Sequence, residues 1–209
     1  LAVYYHDRFY PGTVINDNSF GGKKVEDVKE ILKKSSKDYV LTIKEKEDKT
    51  ELISGEAIKL QYKDDRELDE VKEKQNSWLW PIQIFQDKIY MVSMEHSYDE
   101  ASFTQAVNQL ACMQDANMTP PQDARLEDDD TAYQIVPEVE GTALDKEKTT
   151  EVIKKAVDER RTEVSLTDED CYLKPTVLQS DEELAKEAEK LNKITATQIT
   201  VNFGNGTET

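Results

Sequence analysis

Apolar positions along this chain fall into two rhythms, and the switches between them mark out its elements. Val25, Val28, Ile31 and Leu32 recur at the three- and four-residue spacing of one helix face. The stretch YVLTIKEKEDKTELI at 39–53 then alternates, Leu41 and Ile43 on one side against Val40, Thr42 and Lys44 on the other. It turns at Asp48-Lys49 and returns through Leu52 and Ile53, which predicts a hairpin. The same order recurs at the far end. Leu184, Ala185, Ala188 and Leu191 mark a helix with Ser180 and Glu183 spaced as a capping box, and Ile199, Val201 and Phe203 alternate into a Gly204-Asn205-Gly206 turn. LTI at 41 aligns with ITV at 199, so a helix-strand-turn-strand unit is expected twice. Three residues after a turn are too few to register a return strand, so the second copy reads as incomplete and the chain as a segment of a longer polypeptide.

Between these units the pattern varies. PGTVIN reads as a short strand and NDNSFGG as turns leading into the first helix. Residues 64–75 read as a charged helix with Leu68 and Val71 among its few apolar positions, a pattern that predicts weak packing. NSWLWPIQIF follows, then a strand through Ile89, Met91 and Val92. Asp99 is placed to cap a helix whose Phe103, Ala106, Val107, Leu110 and Ala111 form one stripe. ARLEDDDTAYQIVPEVEG predicts two strands joined at Glu127–Asp130. Asp145 caps a helix carrying Val152, Ile153, Ala156 and Val157, and TEVSL predicts a further strand. Strands paired as hairpins among interspersed amphipathic helices indicate the α+β class with antiparallel sheet.

Charge narrows the function classes. The formal charge of −17 excludes reliance on phosphate-backbone contacts, so nucleic acid is not an expected partner, and it disfavours anionic membrane surfaces. No run of eighteen apolar residues crosses a bilayer. The opening LAVYY reads either as the outer edge of a removed membrane anchor or as a strand.

Candidate chemistry is sparse. His6 and His96 are the only imidazoles, His6 in a tail and His96 ahead of a helix cap, so neither is paired with a nucleophile. The acidic run at 127–130 lacks the glycine and spaced ligands of a calcium loop and reads as a solvated hairpin tip. With seven glycines and no phosphate-cradling loop, nothing asks for a cofactor or a metal. Cys112 and Cys171 could form one cystine or remain two buried thiols. Trp78 and Trp80 would share a face if their segment is extended. Their rings could stack on sugars while Gln75 and Asn76 bond hydroxyls, or they could fill a core.

Several strings together resemble a known arrangement. RFYPGTVINDNSFGGKKVEDVKEIL resembles the segment after the membrane anchor in Gram-positive YkuD-type L,D-transpeptidases, which carries a Phe-x-Pro-Gly-Thr-x-Ile-Asn phrase ahead of a helix. YDEASFTQAVNQLACMQDANMTPPQDARL, YQIVPEVEGTALD and VSLTDEDCYLKP are similar to the peptidoglycan-binding domain that precedes the catalytic domain in those enzymes and also precedes VanW-like domains. The resemblance runs from Phe9 to the C-terminus. It implies an extracellular module on the wall side of the membrane, held by an N-terminal anchor outside this sequence, with peptidoglycan (glycan strand or stem peptide) as partner. It also implies a downstream transpeptidase domain in the same polypeptide. The Ser-His-Gly-Cys stretch that carries that family's nucleophile has no match here, so this segment is expected to be non-catalytic. An extracellular setting would also favour a Cys112–Cys171 bridge. The expected organisation is a linker at 1–8, a helix-hairpin lobe and connector at 9–81, a peptidoglycan-binding-like lobe at 82–180, and a truncated second unit at 181–209. A structural spacer between membrane and wall, with no ligand of its own, is the alternative.

Overall fold

A computed structural model describes residues 3–63, 66–76, 78–83, 85–86, 88–92, 95–129 and 131–196. In chain order the elements are β1 (Val14–Ile15), β2 (Asn18–Ser19), α1 (Val25–Lys37), β3 (Val40–Lys44), β4 (Thr50–Ser54), β5 (Gln61–Tyr62), α2 (Glu67–Lys74) and α3 (Trp80–Gln83). They continue with β6 (Ile89–Tyr90), β7 (His96–Ser97), α4 (Glu100–Gln109), β8 (Arg125–Asp128), β9 (Tyr133–Val136), α5 (Lys146–Asp158), β10 (Glu163–Ser165) and α6 (Glu182–Thr195). The class is α+β, as the hairpin pattern predicted. The expected second hairpin, at 197–209, lies outside the described residues.

Two apolar cores organise these elements. One gathers Phe9, Ile15, Phe20, Val25, Val28, Tyr62, Leu68 and Val71 under β2-β1-β6, α1 and α2. The other gathers Leu41, Ile43, Ile53, Phe103, Val107, Ile153, Val157, Val164 and Leu166 between the β10-β3-β4 sheet and helices α4 and α5. The cores do not follow the expected division at 81/82. The first hairpin, β3–β4, builds the second core, while β6 returns to the first and pairs with β1. The chain thus crosses between cores near residue 38, along β5 and again before β7, and the β5–β7 pairing, Gln61 to Ser97 and Tyr62 to His96, joins two of the crossings.

Several local expectations need correction. Charge misled the reading of α2: Leu68 and Val71 are buried, and Lys29 reaches across from α1 to Asp69 at 2.9 Å, so this helix packs firmly. The first hairpin turns at Lys46–Asp48, with Glu47 and Asp48 both at positive φ. Asp181, not Ser180, caps α6, accepting from the Glu183 amide at 2.8 Å. Alternation cannot reveal strand direction, and two of the pairings, β10 with β3 and β6 with β1, are parallel. Residues 3–5 form a turn rather than a strand, with Tyr5 buried edge-on against Tyr10, ring centroids 5.1 Å apart, and Tyr4 exposed.

Two asparagine side chains act as backbone substitutes. The Asn16 amide donates to the Val92 carbonyl at 2.7 Å and accepts from the Val92 amide at 2.9 Å, extending the β1–β6 pairing. Asn192 on α6 does the same for Tyr133, at 3.0 Å and 2.6 Å, and docks that helix on the β8–β9 hairpin. Asp99 and Asp145 cap α4 and α5 as predicted, through the Ser102 amide at 2.9 Å and the Lys148 amide at 3.0 Å.

Gly55 shows how closely the chain returns after this hairpin. A Cβ added there would collide with the Ser36 carbonyl oxygen and lie 3.3 Å from the Tyr39 Cβ. Both neighbours are fixed, so Gly55→Ala is expected to cost about 1–3 kcal/mol of stability, measured as a lower denaturant midpoint at unchanged slope.

Candidate functional site

The stretch following α2 is built outward from a buried polar base. Lys72 Nζ donates to the Gln75 carbonyl at 3.0 Å, closing the helix end. The Gln75 side chain, itself buried, accepts from the Tyr10 amide at 2.8 Å and donates to Thr13 Oγ1 at 2.9 Å and to the Tyr90 hydroxyl at 3.3 Å. Tyr10 donates its hydroxyl to the Asn76 carbonyl at 2.6 Å. Asn76 Oδ1 then accepts from the Trp78 amide at 3.0 Å, and the same residue's carbonyl accepts from the Leu79 amide at 2.8 Å. From this base the chain projects six large apolar side chains into solvent. Trp78 is 83% exposed and Phe85 88%, and Leu79, Ile82, Ile89 and Met91 are also exposed. Exposed large apolar side chains this close in sequence make the stretch the candidate binding face. Residues 76–86, NSWLWPIQIFQ, are all uncharged in a chain that is 34% charged. Aromatic faces interleaved with amides suit a ligand that is itself apolar on one side and hydroxylated on the other.

The expected site residues divide. Trp78 stands on the exposed face. Trp80 opens the short helix α3 and is half-buried against Tyr5, ring centroids 6.3 Å apart. The two indoles do not share a strand face, because the segment turns rather than extends. Gln75 has committed its amide to the fold, and Asn76 spends its side-chain oxygen on the turn. Both therefore support the surface from beneath. Leu79, Ile82, Ile89 and Met91 were missed as site residues; the long uncharged run at 76–86 signalled Leu79 and Ile82, whereas Ile89 and Met91 lie beyond it and read as strand.

A second cluster lies at the tip of the first hairpin. Ligand-type atoms of Glu45, Glu51 and Cys112 lie within 4.8 Å of one another. Glu45 and Cys112 border a cleft of about 340 Å³ that is also lined by Lys46, Asn117 and Tyr172. Glu51 spends both oxygens on backbone, accepting from the Ala111 amide at 2.7 Å and the Cys112 amide at 2.8 Å. The carboxylate thus caps the 3₁₀ turn at Ala111–Met113 and ties it to β4. Burial, reinforced by a hydrogen bond to Glu51, pushes the Cys112 thiol up and keeps it protonated. A neutral thiol between carboxylates is not an activated nucleophile. Burial likewise pushes Glu45 up, with the nearby Glu51 charge adding to it. The expected bridge is absent from this structure. Cys112 and Cys171 are both free, Cys112 directed at the two glutamates and Cys171 buried with its Sγ 3.9 Å from the Glu169 carbonyl.

Residues 52–165, more than half of the chain, match the family model described as "Putative peptidoglycan binding domain". The chain belongs to this family. The match begins within β4 and ends with β10, so it takes in the exposed segment after α2 and most of the second core. No curated protein and no solved structure matches the chain. The family is one of binding domains rather than catalysts, and it gives this peptidoglycan-binding domain the cell wall as its setting.

The base and the face separate experimentally. Gln75→Leu strands the Tyr10 amide and is expected to cost about 1–3 kcal/mol, whereas Trp78→Ala should stay within about 0.5 kcal/mol of the parent in the same urea titration. Glu45 gives a pH signature. Its raised folded pKa means that the native state holds the proton longer, so this group's contribution declines as pH rises above the ordinary carboxyl range. Glu45→Gln should therefore stabilise the domain at pH 7 and lose that gain at pH 4, read as paired melting temperatures.

Proposed function

We propose that this domain is an extracellular positioning module that binds peptidoglycan for an L,D-transpeptidase domain of the YkuD type carried in the same polypeptide. In this reading an N-terminal anchor tethers it to the membrane, and the uncharged face after α2 rests on a glycan strand. The observation that carries the glycan contact is the exposure of Trp78 and its apolar neighbours over a buried hydrogen-bonded base. The strings quoted above support the link to a transpeptidase, and family membership supports the wall. An acidic domain gains nothing from bulk attraction to a wall rich in anionic polymers, so a neutral contact face suits it better than a charged one.

Co-sedimentation with peptidoglycan sacculi, with and without their anionic polymers, tests the reading. Saturable pelleting that persists on stripped sacculi across a salt series is expected. Trp78→Ala should weaken it about tenfold, the loss of one well-placed aromatic anchor. A protein that stays in the supernatant throughout would instead be a spacer between membrane and wall.

A further inference from the structure

The second core carries another cleft, of about 560 Å³, lined among others by Lys44, Arg160, Arg161, Glu163, Ser165 and Asp168. Three cations in one cleft are notable in a chain of charge −17. Two of them are neutralised within the fold: Lys44 Nζ lies 2.7 Å from Glu163, and Arg161 Nη1 lies 3.0 Å from Glu169. Arg160 is different. Among the described residues no carboxylate pairs with it and no group accepts a hydrogen bond from its side chain. Nη1 is buried without a partner, and the guanidinium carbon lies 4.3 Å from the centre of the Tyr39 ring. Tyr39 is in turn fixed by its hydroxyl, which donates to the Arg161 carbonyl at 2.7 Å. The guanidinium is thus held over an aromatic ring with Nη1 unpartnered and, among the described residues, no carboxylate beside it.

The backbone makes this residue choice stranger. The Arg161 amide donates to the Ala156 carbonyl at 2.9 Å and the Arg160 amide to the Val157 carbonyl at 3.0 Å, a Schellman end to α5. Arg160 occupies its left-handed position at φ 56°, where glycine is the residue the fold alone would favour. Helix-end charge and ring stacking reward an arginine there, but they leave its planar fork of donors unused, and that fork matches a carboxylate. Glu163 and Asp168 also line the cleft, so a dense polyanion is repelled where a single carboxylate on an otherwise neutral or zwitterionic molecule is not.

We propose that the cleft at the end of α5 is a second ligand site, in which Arg160 binds the carboxylate of a short peptide. This extends the wall-binding reading from the glycan to the peptide part of peptidoglycan, and it rests on that reading for its biological ligand. The test uses the whole chain, isotope-labelled, titrated by NMR with N-acetyl-alanyl-alanine, with the C-terminal amide of the same dipeptide, and with inorganic phosphate. Saturable shifts confined to Lys44 and residues 160–165 are expected with the free acid, and binding about tenfold weaker with the amide. Arg160→Gly should abolish these shifts while leaving the melting temperature unchanged or higher, because glycine suits the left-handed position. Equal binding of acid and amide, preference for phosphate, or undiminished binding by the glycine variant would each overturn the site. Should that variant not fold, arginine-directed modification of the parent protein decides: Arg160 protected by the acid supports the site, and an unprotected Arg160 removes it. Pelleting on sacculi is read separately, so an inert cleft on a domain that still pellets sinks this proposal and leaves the wall reading standing.

Discussion

The buried amide of Gln75 is the constraint around which the amino-terminal core and its surface are arranged. It sits where α2 ends, and it holds the Tyr10-to-Thr13 turn on one side and Tyr90 of β6 on the other. An interior amide must find partners or cost stability, and two segments apart from it in sequence, the turn at 10–13 and the strand at 89–90, supply them here. Because that base is fixed, the residues directly above it can carry Trp78, Leu79 and Ile82 into solvent without collapsing onto the core. Within the same stretch Trp80 turns back against Tyr5, ring centroids 6.3 Å apart.

The phrase FYPGTVIN gains its meaning from the same place. Phe9 and Ile15 are core residues, and Pro11-Gly12 turns the chain, with Gly12 at φ +78° and the Thr13 amide bonded back to the Tyr10 carbonyl at 3.1 Å. Asn16 closes onto Val92 through both of its amide atoms. These residues are architecture, and they contact no ligand in the proposed function. The proposed binding face is carried by other residues, Trp78 and its exposed neighbours.

Charge divides the molecule along similar lines. Carboxylates cap helices, close turns and meet lysines at the exposed surface, where each pair contributes little. The two surfaces proposed for ligands depart from that pattern, one by carrying no charge over eleven successive residues and the other by leaving Arg160 Nη1 unpartnered among the described residues. Contact through local chemistry, rather than through a net field, is what such a distribution permits.

Periodicity alone determined the elements: the α1 stripe, the 39–53 hairpin, the Asp99 and Asp145 caps and the strand at 163–165 are each local, and neighbours in sequence decide them. Composition determined that charge would not draw the domain to its ligand. Only the tertiary structure decided partners. The parallel pairing of β10 with β3 and the passage of the chain between two cores depend on contacts far apart in sequence. Burial settled the roles of polar residues in the same way. Gln75 read as a hydrogen-bonding side chain for a ligand until Tyr10 and Thr13 closed over it, and Arg160, which no sequence pattern singles out, stands apart only because among the described residues no carboxylate meets it. A side chain's type fixes what it can bond, but only the packed fold fixes which of its groups are left over.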